Sequence, residues 1–254
     1  MRILSLPIGF VGRASKVASD LQNRTNMPDR ISKFIAELKS APTMDDVFNP
    51  WHDVDAAHDQ NSRAPMIRTR QLKHYLSQRT GARYLLIAEA LGYQGGHFTG
   101  IAMTSERLLL GHHAGRGINP DHLLPGLTGQ RTSSPALNRN GFAEPTASIV
   151  WQTAIVELGL APTDFALWNV FPWHPYCPKA GMLSNRTPKT SELQAAVPYL
   201  QRFMKLFSAR RIISIGRKAE ASLAALGIEA NTVRHPAHGG ASAFRRQFSA
   251  VVND

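Results

Sequence analysis

Residues 82–90 read ARYLLIAEA, an apolar run from Tyr84 to Ala88 that closes on an acid, Glu89. The run is too short for a helix of ordinary length and lacks the alternation of a half-exposed strand, so it predicts a β-strand covered on both faces. Three other stretches share the pattern: DFALWNVFP (164–172), RRIISIGR (210–217) and the less apolar ANTVRHP (230–236). Helical patterns separate them, TASIVWQTAIVELGL (146–160), SELQAAVPYLQRFMKLFS (191–208) and KAEASLAALG (218–227), and ASAFRRQFSAVVN (241–253) follows the last. Strands that alternate with helices build a parallel sheet with helices on both faces. The expected fold is an α/β three-layer αβα sandwich around a central four-stranded parallel sheet, formed by residues 81–254. Upstream, PDRISKFIAELKS (28–40) sets Ile31, Phe34, Ile35 and Leu38 at helical spacing, a polar loop fills 41–65, and MIRTRQLKHYLSQR (66–79) predicts a second helix. Residues 1–80 then form an N-terminal helical extension packed on the core.

Hydrophobic residues make up 43% of the 254-residue chain, enough to fill a sizeable core and to exclude a disordered polymer. Lys and Arg number 29 against 18 Asp and Glu, a net charge of +11. The excess lies mainly in residues 128–254, with 14 basic and 7 acidic side chains against 15 and 11 in residues 1–127. A balance of this sign points to a polyanionic partner, nucleic acid. Cys177 is the sole cysteine, which excludes an intramolecular disulfide, a four-cysteine zinc site and a cysteine-ligated iron–sulfur cluster. The opening MRILSLPIGFVGR is interrupted by Pro7 and Gly9 with no clean cleavage site behind it, which argues against a secretory leader. No stretch approaches the ~18 uninterrupted apolar residues of a membrane span. The expectation is a cytoplasmic monomer that uses no membrane, metal or cofactor.

In a parallel sheet the ligand site lies beyond the carboxyl ends of the strands. Glu89 ends the first, Asn169 lies near the end of the second, Gly216 and Arg217 follow the third, and His235 follows the fourth. A carboxylate at the end of an apolar strand caps nearby backbone amides or has chemistry to do, because burying it unpaired costs several kcal/mol. The Asn169 amide offers an acceptor and two donors in one plane, the geometry of a pyrimidine edge, or else ties two strand ends together. Pro236 holds His235 extended at a loop mouth. Gly239 and Gly240 followed by Arg245 and Arg246 suit a phosphate, through close backbone amides and guanidinium charge.

Together AEALGYQGGHFTGIAMTSE (88–106), WNVFPWHPYCPKAGMLSNRTPKTSEL (168–193) and RHPAHGGASAFRRQF (234–248) resemble the uracil-DNA glycosylase superfamily, in the branch related to bacterial enzymes whose first motif reads G-E-A-P-G. The resemblance implies that a base is flipped out of DNA and its N-glycosidic bond hydrolysed without a metal, leaving an abasic site. By position it implies Glu89 as the acid beside the sugar, Asn169 as the amide that reads the base edge and His235 as the donor to the departing base. Arg107, Arg245 and Arg246 would anchor phosphates. The loop from Ala237 to Ala241, with Gly239 and Gly240, would fill the gap left by the flipped nucleotide, His238 acting as the wedge.

The chain also departs from that pattern. Ala88 and Leu91 stand where the motif has glycine and proline, and Ala90 where the best-known uracil enzymes have an aspartate. Met103 replaces the usual stacking phenylalanine, leaving Phe98 or Phe171 for that role. Gly92 replaces a tyrosine that blocks substituents at C5, which suggests open space there. Uracil, in base excision repair, is the leading substrate by analogy. The superfamily's anti-phage branch suggests a bulky C5-modified cytosine such as glucosylated hydroxymethylcytosine. Two other classes stay open: a non-catalytic DNA-binding module, favoured by Ala88, Leu91 and Met103, and a metal hydrolase built from His97, His112, His113, His174, Cys177 and His238, whose spacing fits no ligand pattern.

Overall fold

The computed structural model describes residues 26–254. The leader reading of residues 1–13, and the first part of the 1–80 extension, lie outside the described residues. Helix α1 (Met27–Lys39) and the two-residue strand β1 (Val47–Phe48) precede α2 (Ala64–Ser77) and β2 (Tyr84–Ala90). Short helices α3 (Gly96–Thr99), α4 (Glu106–Leu109) and α5 (Pro120–Leu123) lead to α6 (Pro145–Trp151). Then come β3 (Phe165–Phe171), β4 (His174–Pro175), α7 (Thr190–Met204), β5 (Arg211–Ile215), α8 (Arg217–Ala224), β6 (Asn231–Val233) and α9 (Ala241–Asn253).

The four apolar runs form one parallel sheet in the order β3-β2-β5-β6. Leu85, Leu86 and Ile87 of β2 are buried, as is every residue of β3, because helices cover both faces. Each large aliphatic side chain so buried contributes about 1.5–3 kcal/mol. On one side the upstream helices join the same core: the Phe34 ring lies 5.6 Å from that of Trp168, and Tyr75 accepts a 2.8 Å hydrogen bond from the Leu167 amide.

Two local features depart from the expected pattern, and a third, Pro198 within an expected helix, has a physical cost that packing offsets. The polar loop 41–65 contains β1, which pairs antiparallel with β4, Phe48 opposite His174. The helix begun at Pro145 widens to a π-helix over Gln152–Glu157. Pro198 sits inside α7 without ending it, and the ~3 kcal/mol cost of an interior proline is offset by the burial of Ala196, Leu200 and Phe203. No helix among the described residues is long and apolar enough to cross a membrane.

Candidate active site

The carboxyl ends of β2, β5 and β6 open into a cleft of about 720 Å³, whose walls include the 91–103 loop, the start of α6 and Asn185. Glu89, next to last in β2, borders it, and its Oε1 lies 3.2 Å from Nζ of Lys218 in α8. The chain turns from β5 into α8 through Gly216, at φ 89°, where a Cβ would sit 3.1 Å from that of His235. Glycine is required there by both conformation and space.

His235 borders the same cleft, half-buried two residues after β6. Its Nδ1 accepts a 3.1 Å hydrogen bond from the Ala237 amide, so the neutral ring carries its proton on Nε2. Burial, then the positive Arg234 and the neighbouring His238, hold its pKa below the ordinary 6.5, which keeps it a neutral donor at pH 7. The loop behind it is tight. A Cβ on Gly240 would lie 2.0 Å from the His235 carbonyl oxygen, so Gly240 is needed for the backbone packing itself.

A family model described as the uracil DNA glycosylase superfamily matches residues 78–252, well over half of the chain. The chain belongs to that superfamily. It is a DNA glycosylase, and DNA is its partner. A search of curated proteins finds no match. Among solved structures, the crystal structure of wild-type Pedobacter heparinus SMUG2 is similar with a TM-score of 0.58 and 13% identity, over 90% of this chain and 99% of that one. At that identity the likeness concerns the fold.

Within this glycosylase the other expected residues divide. Met103 borders the cleft with φ 46°, its carbonyl held by Nε1 of Trp151 at 3.1 Å. Gly92 borders it too, but the space beside it is not open: the Asn185 amide lies 3.6 Å from where a Cβ would be, fixed by a 3.0 Å bond from the Tyr93 N–H to Asn185 Oδ1. Asn169 pairs with Ala88, which does border the cleft, while Asn169 itself lies behind the surface, 1% exposed, with Oδ1 unbonded. His238 stands exposed on the rim with φ 52°.

Phe98 does not reach the cleft. Its ring is fully buried and stacked on Phe142, centroids 4.5 Å apart, and Phe171 is likewise buried against Trp173. Both are core aromatics, and the apolar surface available to a base includes Ala88, Leu91, Met103 and Ile215, with no Phe, Tyr or Trp among the described residues that line the cleft. Arg107, Gly239, Gly240, Arg245 and Arg246 also lie outside the lining, and Nε of Arg245 is engaged by Glu157 at 2.9 Å. The cations on the cleft are Arg186, Arg217, Lys218 and Arg234. Arg186 is spent on a bidentate pair with Glu192, 2.7 and 2.8 Å, whereas Arg217, Lys218 and Arg234 are exposed.

Glu144, Asn185 and Lys218 were not among the expected residues. The only local signal for Glu144 is its place before Pro145, which reads as a helix start; yet its side chain makes no capping bond and instead closes on Gly95. Burial pushes its carboxyl up to about 7. No group of three or more His, Cys, Asp or Glu among the described residues is arranged to hold a metal ion.

Proposed function

We propose that this glycosylase everts a pyrimidine nucleotide from DNA, seats the base in the cleft, and hydrolyses the C1′–N1 bond, with uracil as its substrate. The observation that carries this reading is the sharing of one cleft by Glu89 and His235, from two different strand ends. As C1′–N1 breaks, its electron pair leaves with the base and the sugar gains oxocarbenium character. Glu89, held beside Lys218, stabilises that cation and orients the water whose oxygen bonds to C1′. Nε2–H of His235 donates to the base as negative charge develops. One water proton ends on the base and the other stays in the new sugar hydroxyl. Asn169, paired with Ala88 just behind the cleft wall and with its Oδ1 buried and unbonded, reads the base edge. Arg217 and Arg234 meet the flanking phosphates. The protein acts as a monomer in the cytoplasm.

A second substrate, a C5-modified cytosine carrying a sugar, is favoured by one observation. The cleft, at about 720 Å³, is far larger than one pyrimidine needs and has polar groups such as Gln94 and Asn185 along its walls. Incubation with DNAs bearing uracil, hydroxymethylcytosine or its glucosylated form, followed by mass spectrometry of freed bases, decides between them. Released uracil supports the repair reading and a released glucosylated base the anti-phage one; release of neither overturns both.

A further inference from the structure

Glu144 borders the cleft with Leu91, Met103, Glu89 and His235. Its Oε2 is shut off from solvent and has no hydrogen-bond partner. The oxygen sits where only glycine leaves room, since a Cβ on Gly95 would lie 1.8 Å from it. A buried polar atom left unbonded costs about 1–3 kcal/mol and calls for a compensating role. Glu144 differs from orphans such as Trp173 Nε1 in that its residue also lines the cleft, where a ligand can supply the missing partner. A neutral carboxyl has one O–H to give, and a pyrimidine ring offers acceptors for it: N3 of a cytosine-type base, or a ring carbonyl of a uracil-type base.

We propose that Glu144 is a base-reading residue, its neutral carboxyl donating a hydrogen bond to an acceptor on the everted ring. The inference rests on the glycosylase reading above and adds a third contact to it. Departure of the base places negative charge on those same acceptor atoms, so the bond is stronger in the transition state than in the ground state and accelerates the reaction. The contact is a hydrogen bond throughout; no proton changes hands.

The proton that makes Glu144 a donor is held because burial disfavours its anion; no charged side chain contributes. The titratable and charged groups sharing the cleft are Glu89, Arg186, Arg217, Lys218, Arg234, His235 and His238. Because the carboxyl titrates at about 7, the donor is present below that pH and is lost as pH rises through it. His235, with its pKa lowered, has shed its extra proton at lower pH and does not produce this alkaline limb.

The test compares single-turnover base release by the wild type, Glu144→Gln and Glu144→Ala on either side of pH 7. The wild-type rate falls as pH rises through about 7. Glu144→Gln, whose amide donates at every pH, keeps a rate within about tenfold and loses the limb, while Glu144→Ala slows release by about 10²-fold below pH 7. The melting temperature of Glu144→Ala stays at or above that of the wild type, because an unsatisfied buried carboxyl has been removed. A wild-type rate in Glu144→Ala, an unchanged alkaline limb in Glu144→Gln, or a rate loss that tracks a lowered melting temperature overturns the proposal alone. Failure of the wild type to free a base from the pyrimidine substrates tested overturns the proposed reaction at this cleft and this inference with it.

Discussion

Two polar regions meet in the 91–106 loop, and they are built on opposite rules. On one side His97, Thr99 and Glu106 belong to a buried cluster in which Arg68 grips Asp59 through both carboxylate oxygens, 2.8 and 3.1 Å. In the same cluster His97 bridges Asp55 and His174 at 3.1 and 2.9 Å, and Glu106 accepts from the amides of Thr132 and Ser133 at 2.7 and 3.0 Å. None of these buried side-chain atoms lacks a partner. On the other side Leu91, Gly92 and Met103 face the cleft, where Glu144 Oε2 is unbonded, and Asn169 Oδ1, equally unbonded, lies just behind. A saturated network fixes one arrangement of the chain, whereas unfilled hydrogen-bonding capacity beside a cleft leaves polar atoms without a partner in the protein itself. The first region makes the second possible, because it anchors the loop that carries the cleft wall.

Breaking the saturated side has the largest effect. Arg68→Leu leaves Asp59 buried without its counter-charge and frees the carbonyl of Asp53 as well. The expected loss is about 3–5 kcal/mol of stability, read from the denaturant midpoint. A loss below about 1 kcal/mol shows that the cluster relaxes without Arg68, and the contrast between the two regions then disappears.

On the open side the expected effects fall on rate and spare the fold. Glu89→Gln and His235→Asn each slow base release by about 10²-fold, which corresponds to about 2.7 kcal/mol of transition-state stabilisation. Their melting temperatures stay near that of the wild type, since Glu89 makes only an ion pair with an exposed lysine. Single-turnover kinetics beside thermal melts separates the two effects. Wild-type rates in both variants remove these residues from the chemistry.

What is legible in the sequence follows from how far apart the cooperating residues lie. Four apolar runs predict four strands because each run carries its own signal, and Glu89 and His235 stand out because each sits at or just beyond a strand end. Their roles in catalysis rest on the proposal above. Phe98 shows why residue type alone misleads: it lies in the right loop, but Phe142 claims its ring. The closure of Glu144 on Gly95 and the seating of Asn185 beside Gly92 join distant segments, and neither leaves a local pattern. The β1–β4 ladder is two residues long, too short to show periodicity. The cations mislead for a related reason. A pair of adjacent arginines on a helix looks like a phosphate clamp, but only the fold reveals that Arg245 is occupied by Glu157 while Arg217 and Arg234 stand on the rim.

That last distinction yields the smallest predicted effect. A cation that neutralises a DNA phosphate releases condensed counterions, and the slope of log affinity against log salt changes by about 0.9 for each phosphate left without its cation. Replacing Arg217 and Arg234 by alanine is expected to flatten the slope by roughly 1.8, with the bound complex followed by fluorescence anisotropy across a salt series. Arg245→Ala, by contrast, frees Glu157 and removes a charge already paired, so the slope shifts by less than about 0.9. Arg246 is exposed, with no acidic partner within ion-pair distance among the described residues, and serves as the internal reference for a basic side chain outside the cleft. If the Arg245→Ala slope falls as far as that of the Arg217 and Arg234 pair, DNA runs over α9 instead of along the cleft rim, and the path of the phosphates has to be redrawn from the last helix inward.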